Sequence, residues 1–248
     1  MPDFLSKNRV SELAALKQKK QRRAQGLCVL EGLRLITQLA ADGILPKEVF
    51  LLDGEEALPA LASVPAFICD QRAMERICDT EHPQGLAALY ELPKSDFKGF
   101  RRAFYLDGIS DPGNLGTIFR LAMAFGIDAV LLSEGCADPA SPKVIRSSLG
   151  AVYKVPYAQM NPIALKLPGL KVVGTSAEGD TALHDFQPPA RAPMLIVIGS
   201  EAHGVTPEIA RRCEQTLRIE MAPGMESLNA AVAAGIVAHH LWVESLTS

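Results

Sequence analysis

Five short apolar runs, at residues 104–107, 129–132, 171–175, 195–199 and 217–220, constrain this chain more than any other feature. The runs at 104–107, 129–132 and 195–199 are apolar almost throughout, so strands made from them must be covered on both faces, whereas Leu217-Arg-Ile-Glu220 alternates. Helical periodicity fills the intervals. Leu115, Ile118, Phe119, Ala122 and Phe125 share one side of a helix over 117–125 that Gly126 ends, and 143–149 forms another. Strands alternating with helices predict an α/β domain with a mostly parallel sheet and helices on both faces. In such sheets the functional crevice lies beyond the carboxyl ends of the strands. Polar and glycine-rich residues gather at those ends, after Asp107, Thr175, Gly199 and Glu220.

The first hundred residues form a separate block. Predicted strands at 28–31, 49–52, 66–69 and 85–90 alternate with helices over 33–41 and 71–79, which fits a smaller α/β/α unit. The polar stretch after it contains Pro93 and Gly99 and has the composition of a linker. The expected division is therefore 1–95, a linker at 96–102, and 103–248. The beginning is basic, with eight bases against three acids in residues 1–34 although the whole chain carries a net charge of −3. Arg9, Lys19, Lys20, Arg22 and Arg23 are the candidates for contact with a polyanion, the alternative being a solvated helix face.

Five cysteines, Cys28, Cys69, Cys78, Cys136 and Cys213, are scattered and form no Cys-x-x-Cys pair, which argues against a zinc site or a disulfide framework. Reduced thiols and a cytoplasmic location are expected. The N-terminal residues lack the apolar core of a signal peptide, and no apolar run approaches the ~20 residues of a membrane span.

The strand-end clusters exclude several chemistries. No Gly-x-Gly-x-x-Gly follows the first strand, and there is no P-loop, Gly-x-Ser-x-Gly elbow or His-Glu-x-x-His pair. Three segments remain: Asp111-Pro-Gly-Asn-Leu-Gly-Thr-Ile-Phe-Arg120, Gly199-Ser-Glu-Ala-His-Gly204 and Met225-Glu-Ser-Leu-Asn229. The first places Asn114 in a turn and Arg120 one to two helical turns beyond it. The third follows a Pro223-Gly224 turn, has Ser227 as a candidate helix cap, and leads into a small-residue helix with Leu228, Val232, Gly235, Ile236 and His239 at helical spacing.

In order and spacing these segments resemble the three signature motifs of the SpoU-type branch of the SPOUT RNA methyltransferases, across residues 103–240. The run from Pro142 to Pro156, which includes Arg146, is similar to that family as well. Residues 1–95, with Glu31-Gly-Leu-Arg-Leu as the best local match, resemble the ribosomal-protein-like RNA-binding domain often fused in front. The resemblance implies methyl transfer from S-adenosylmethionine to a ribose 2′-hydroxyl of structured RNA, with ribosomal RNA favoured. It also implies a homodimer and a deep trefoil knot in the C-terminal domain, and the residues themselves point to no metal and no membrane. Alternatives are a transfer RNA methyltransferase, a non-catalytic RNA-binding or assembly factor, and a small-molecule methyltransferase.

Residue by residue, the resemblance implies catalytic roles for Arg120, Asn114, Glu201, Ser227 and Asn229. It places the cofactor against Thr175, Gly199, Ile219, Met221, Leu228 and Asn229, and adds Arg146 to the RNA-binding set. The matching motifs hold no histidine or paired carboxylate to accept the hydroxyl proton. Arg120, with a pKa above ~12, is an awkward base. It is better suited to gripping a phosphate bidentately. The chain departs from the family at Ala202, where glycine is common; this matters only if that position needs a positive φ.

Overall fold

The computed structural model describes residues 3–247 except 57, 81, 96, 162–166 and 190. Asp96, the first residue of the expected linker, therefore lies outside the described residues. The chain divides into two compact units, one made of Met1–Pro93 with Ala140–Gly150, the other of Lys94–Pro139 with Ala151–Ser248.

The N-terminal unit contains strands β1 (Asp3–Phe4), β2 (Leu27–Glu31), β3 (Glu48–Leu52), β4 (Ala66–Cys69) and β5 (Leu86–Glu91), in the sheet order β1-β4-β3-β5-β2. Helices α1 (Lys7–Ala15), α2 (Lys19–Gln25), α3 (Leu33–Ala41) and α4 (Gln71–Ile77) pack on it. Ser6 and Asp70 cap α1 and α4 by accepting from the backbone N–H of Arg9 and Ala73. Gly26, at φ +68°, ends α2 in the left-handed conformation that glycine adopts without strain. Val10 and Leu13 of α1 and Met74 and Ile77 of α4 meet Phe50 and Leu89 of the sheet in one apolar cluster.

Helix α6 (Pro142–Ser147) also belongs to this unit and packs on β2. Arg146 Nη1 donates to Oε1 of the buried Glu31 at 2.9 Å, and Thr80 donates to the same carboxylate through its N–H (3.0 Å) and hydroxyl (2.7 Å). After α6 the backbone turns through Leu149, the one described non-glycine residue at positive φ (+50°), and Gly150. A Cβ on Gly150 would lie 2.6 Å from Leu39 Cδ2, so the segment sits hard against α3.

The C-terminal unit is a seven-stranded sheet in which every pairing is parallel. Its strands are β6 (Arg102–Asp107), β7 (Ala129–Leu132), β8 (Tyr157–Gln159), β9 (Lys171–Thr175), β10 (Thr181–Ala182), β11 (Met194–Gly199) and β12 (Gln215–Arg218), in the order β10-β12-β9-β11-β6-β7-β8. The register of β11 on β6 brings Gly199 opposite Asp107, so the two strands end together. The order, with β12 inserted between β10 and β9, is compatible with the knotted crossing implied by the resemblance. Phe97 and Phe100, in the expected linker, pack on the core of this unit.

The helices of this unit are α5 (Pro112–Ala124), α7 (Pro207–Ala210) and α8 (Ala230–Thr247). Helix α5 begins five residues before the expected start. Asp111 caps it by accepting from Asn114 N–H at 2.8 Å, and Pro112 occupies the first helical position, where its missing N–H costs nothing. Asn114 is thus in the first turn of a helix and not in a loop. Helix α8 is rotated relative to the expected apolar stripe. Ala230, Ala231, Ala234, Val237, Ala238 and Leu241 are buried, whereas Val232 is 51% and Ile236 38% exposed. The alanine side allows close packing on α5 and β11, where a Cβ on Gly235 would touch Leu121 at 3.2 Å. No described helix is long and apolar enough to cross a membrane.

Candidate active site

The carboxyl ends of β9, β11 and β12 open into one pocket. Its walls come from Thr175–Ala177, Ile198–Glu201 with Gly204, Leu217, Ile219 and Met221, then Ser227, Leu228, Ala230 and Ala233. The pocket is concave and open at its mouth. Its composition is apolar with a few polar groups, notably Glu201 and the hydroxyls of Ser200 and Ser227. Thr175, Gly199, Ile219, Met221 and Leu228 all line it. Thr175 turns its hydroxyl to the Val197 carbonyl (2.8 Å), so its side chain serves the sheet.

Gly199 is required by the loop that follows it. A Cβ there would meet the carbonyl carbon of Gly204 at 2.1 Å and the nitrogen of Val205 at 2.3 Å. The loop after β11 folds back onto its own strand, with Ser200 N–H donating to Gly204 O (3.1 Å) and Gly204 N–H to Ser200 O (2.8 Å). The space beside Gly199 thus belongs to the loop and not to a ligand. Ala202 sits inside this loop without positive φ; the left-handed position is Gly204, at +64°. The departure from the family pattern costs no backbone strain.

At the rim, Asn114, Glu201 and Asn229 come together. Asn114 Nδ2 donates to Glu201 Oε1, and Asn229 Nδ2 donates to Asn114 Oδ1 at 3.0 Å. Asn229, and not Ser227, is the cap of α8: its Oδ1 accepts from the N–H groups of Ala231 (2.9 Å) and Val232 (3.2 Å). Ser227 lies two residues before it in irregular backbone, exposed and on the pocket wall. Asn114 and Asn229 line an adjoining groove between α5 and α8, together with Thr117, Leu121, Phe125, Val232 and Ile236.

Arg120 does not join this cluster. Six residues on from Asn114, it points roughly 120° away around α5 at 3.6 residues per turn. It is exposed, and among the described residues no hydrogen bond or ion pair involves its guanidinium.

In the basic set, Lys19, Lys20 and Arg23 of α2 are exposed. Arg22 must be taken out of the expected RNA-facing set. It is 6% exposed, and its Nη1 donates to the carbonyls of Leu16 (3.2 Å) and Lys17 (2.8 Å) at the end of α1. Arg9 is held by Glu48 (2.6 Å) and Glu12 (2.9 Å), and Arg146 by Glu31. Among the described residues no group of His, Cys, Asp and Glu is placed to hold a metal ion.

Ser176, Ala177, Ser200, Leu217, Ala230 and Ala233 were missed as pocket residues. Their signal was their position, one or two residues from a strand end or on the first turns of α8. The sequence marks Asp107 only as a strand end. It is buried, and its Oδ2 accepts from Thr206 N–H at 2.7 Å, fixing the segment that follows the Gly199 loop.

The sequence pattern of the SpoU rRNA Methylase family fits residues 101–239, and that of the MRM3-like substrate binding domain fits residues 7–88. The chain is 30% identical over 239 residues to the 23S rRNA (guanosine(2553)-2′-O)-methyltransferase RlmP of Bacillus subtilis, covering 94% of this chain and 95% of that one. A crystal structure of an RNA 2′-O ribose methyltransferase superposes with a TM-score of 0.82 at 27% identity, over 99% of this chain and 100% of the other. The AdoMet-bound rRNA methyltransferase of Sinorhizobium meliloti does so with a TM-score of 0.79 at 26% identity, over 99% and 98%. The motifs, the parallel sheet with its strand-end pocket, and these matches lead to one assignment: the chain belongs to the SpoU rRNA methylase family.

Proposed function

We propose that the protein methylates a ribose 2′-hydroxyl of structured RNA, ribosomal RNA being the favoured class, with S-adenosylmethionine as donor. The observation that carries this reading is the strand-end pocket with Glu201, Asn114 and Asn229 at its rim, in a chain of this family. The pocket suits the cofactor. Ile198, Leu217, Ile219 and Leu228 offer an apolar wall to a purine, and the carboxylate of Glu201 offers a partner to positive charge. The cofactor supplies a methyl group activated by its sulfonium, and the protein's task is to aim the hydroxyl at it. Positioning of this kind can remove up to ~7–11 kcal/mol of barrier.

Arg120 is assigned to the RNA. Always charged, it grips a phosphate next to the reacting ribose through its planar fork, and the hydroxyl proton leaves to a phosphate oxygen or water. Its direction on α5 favours a homodimer in which Arg120 serves the pocket of the other copy. The exposed apolar residues Met123, Val232, Ile236, Trp242 and Val243 support such an interface along α5 and α8. Lys19, Lys20 and Arg23 lie exposed together on α2, and they are assigned to RNA contact by the N-terminal unit. A cytoplasmic site of action is part of this proposal.

Two measurements test the reading. Calorimetry should detect S-adenosylmethionine binding to the intact protein, and its absence would end the enzyme assignment. Mapping of 2′-O-methyl positions on total RNA from cells with and without the gene should show one position that depends on it.

A further inference from the structure

We infer that Asn229 is a positioning residue that sets the polarity of a chain of hydrogen bonds ending on Glu201. This rests on the assignment of the strand-end pocket to S-adenosylmethionine.

The chain starts at two backbone N–H groups, those of Ala231 and Val232, which can only donate. Both point at one atom of Asn229, so that atom must be the carbonyl oxygen and the amide cannot turn over. Its remaining group, Nδ2, can only donate, and it donates to Asn114. The atom of Asn114 that receives this bond must in turn be Oδ1, which leaves Nδ2 facing Glu201. A carboxylate accepts and does not donate, so Asn114 is correctly oriented only while Asn229 holds it so. Each amide is locked by the one before it. The backbone of Asn114 is fixed independently, by the bond from its N–H to Asp111 Oδ1 at 2.8 Å.

The members face different surfaces. Glu201 lines the pocket, whereas Asn114 and Asn229 line the groove between α5 and α8. Asn229 thus acts on the pocket through Asn114 and Glu201 and not by touching the cofactor. This revises the direct cofactor contact that family resemblance implies for it. Capping alone does not require an amide at this position, because asparagine, aspartate and serine cap about equally well. Asparagine combines the capping acceptor with a donor for Asn114, and aspartate, an equally good cap, does not.

The deciding variant is Asn229→Asp. Aspartate keeps the cap, and its negative charge suits a helix N-terminus. It has no donor for Asn114, and its second oxygen repels Asn114 Oδ1. Asn114 then turns over and presents its oxygen to Glu201, which swings away. The melting temperature is expected to hold while S-adenosylmethionine affinity, measured by calorimetry, falls about tenfold, the scale of one hydrogen bond to a charged group. In an Asn114→Ala background the same substitution should cost nothing more. Unchanged affinity in Asn229→Asp, or a loss that persists without Asn114, would overturn the inference; the second result would make Asn229 a direct ligand contact.

A second measurement does not depend on the cofactor. In the side-chain amide NMR spectrum, Glu201→Gln should shift the Asn229 resonances as well as those of Asn114, whereas Asn114→Ala should abolish the effect on Asn229. An Asn229 signal indifferent to Glu201 refutes the chain of bonds even if the wild type binds no S-adenosylmethionine, a result that would count against the function alone.

Discussion

Gly199 and Gly204 are so close that the Cβ which Gly199 lacks would stand 2.1 Å from the carbonyl carbon of Gly204. Backbone meets backbone there, and no side-chain rotation can relieve an added methyl. Gly199→Ala should therefore open the loop that carries Glu201. We expect about 1–3 kcal/mol of lost stability in denaturant titration, the usual cost of overpacking. S-adenosylmethionine affinity should drop with it by tenfold or more in calorimetry.

Arg120 lies exposed on α5, so its substitution should separate activity from folding. Arg120→Lys keeps the charge and loses the planar fork. Methyl transfer should fall about 100-fold, the scale of a misplaced reactant, with stability unchanged within about 0.5 kcal/mol. Near wild-type turnover in Arg120→Lys would rule out the bidentate phosphate grip.

Ile236 projects from α8 into the α5–α8 groove and is 38% exposed. A glutamate there would place charge in the proposed dimer interface without disturbing the buried alanine side of the helix. Sedimentation should show Ile236→Glu as a monomer with an unaltered circular dichroism spectrum. A stable dimer in this variant would move the interface elsewhere.

Glu31 receives three hydrogen bonds from Thr80 and Arg146 within the N-terminal unit. Glu31→Ala leaves all three donors without their acceptor. A loss of about 2–4 kcal/mol is expected in chemical denaturation, since the carboxylate is buried and the arginine only partly so. Arg146→Ala should cost less, because Thr80 still satisfies the carboxylate.

Burial, followed by the charge of Asp70, pushes the Cys69 thiol up to about 11 from its usual 9.0. Between these two pH values the unfolded chain releases a proton that the folded chain keeps. Stability should thus be level below pH 9 and fall as pH rises toward 11. Burial pushes the Cys78 thiol upward as well, which adds to the slope. Melting curves of Cys69→Ala across that range should show a shallower decline than the wild type.

The central strands were legible because burial on both faces leaves no polar alternation to blur them. The strands β8 and β10, of three and two residues, are too short to carry a pattern. The start of α5 was misplaced because Pro112 and Gly113 have turn chemistry, yet proline is favoured at the first position of a helix. Ser227 and Asn229 are both good caps, and only the folded backbone decides which one faces the free N–H groups. Charge counting placed Arg22 with its neighbours on a solvated face, although its guanidinium is buried at the end of α1. Pattern cannot distinguish a buried arginine from an exposed one when its partners are backbone carbonyls. The site loops were legible as motifs, but their hydrogen-bond polarity needed three dimensions.

The assignment of Ala140–Gly150 to the N-terminal unit has a consequence for biosynthesis. The chain passes between the two units at 93–94, 139–140 and 150–151. When residue 93 leaves the ribosome the first unit still lacks α6, the cation for Glu31 and the Gly150 turn against Leu39. At ~5–20 residues per second, those pieces arrive several seconds later. The N-terminal unit therefore cannot complete its folding ahead of its neighbour as an ordinary leading domain does. A stalled or truncated chain ending between 94 and 139 would carry an unfinished N-terminal unit, open to chaperones and proteases.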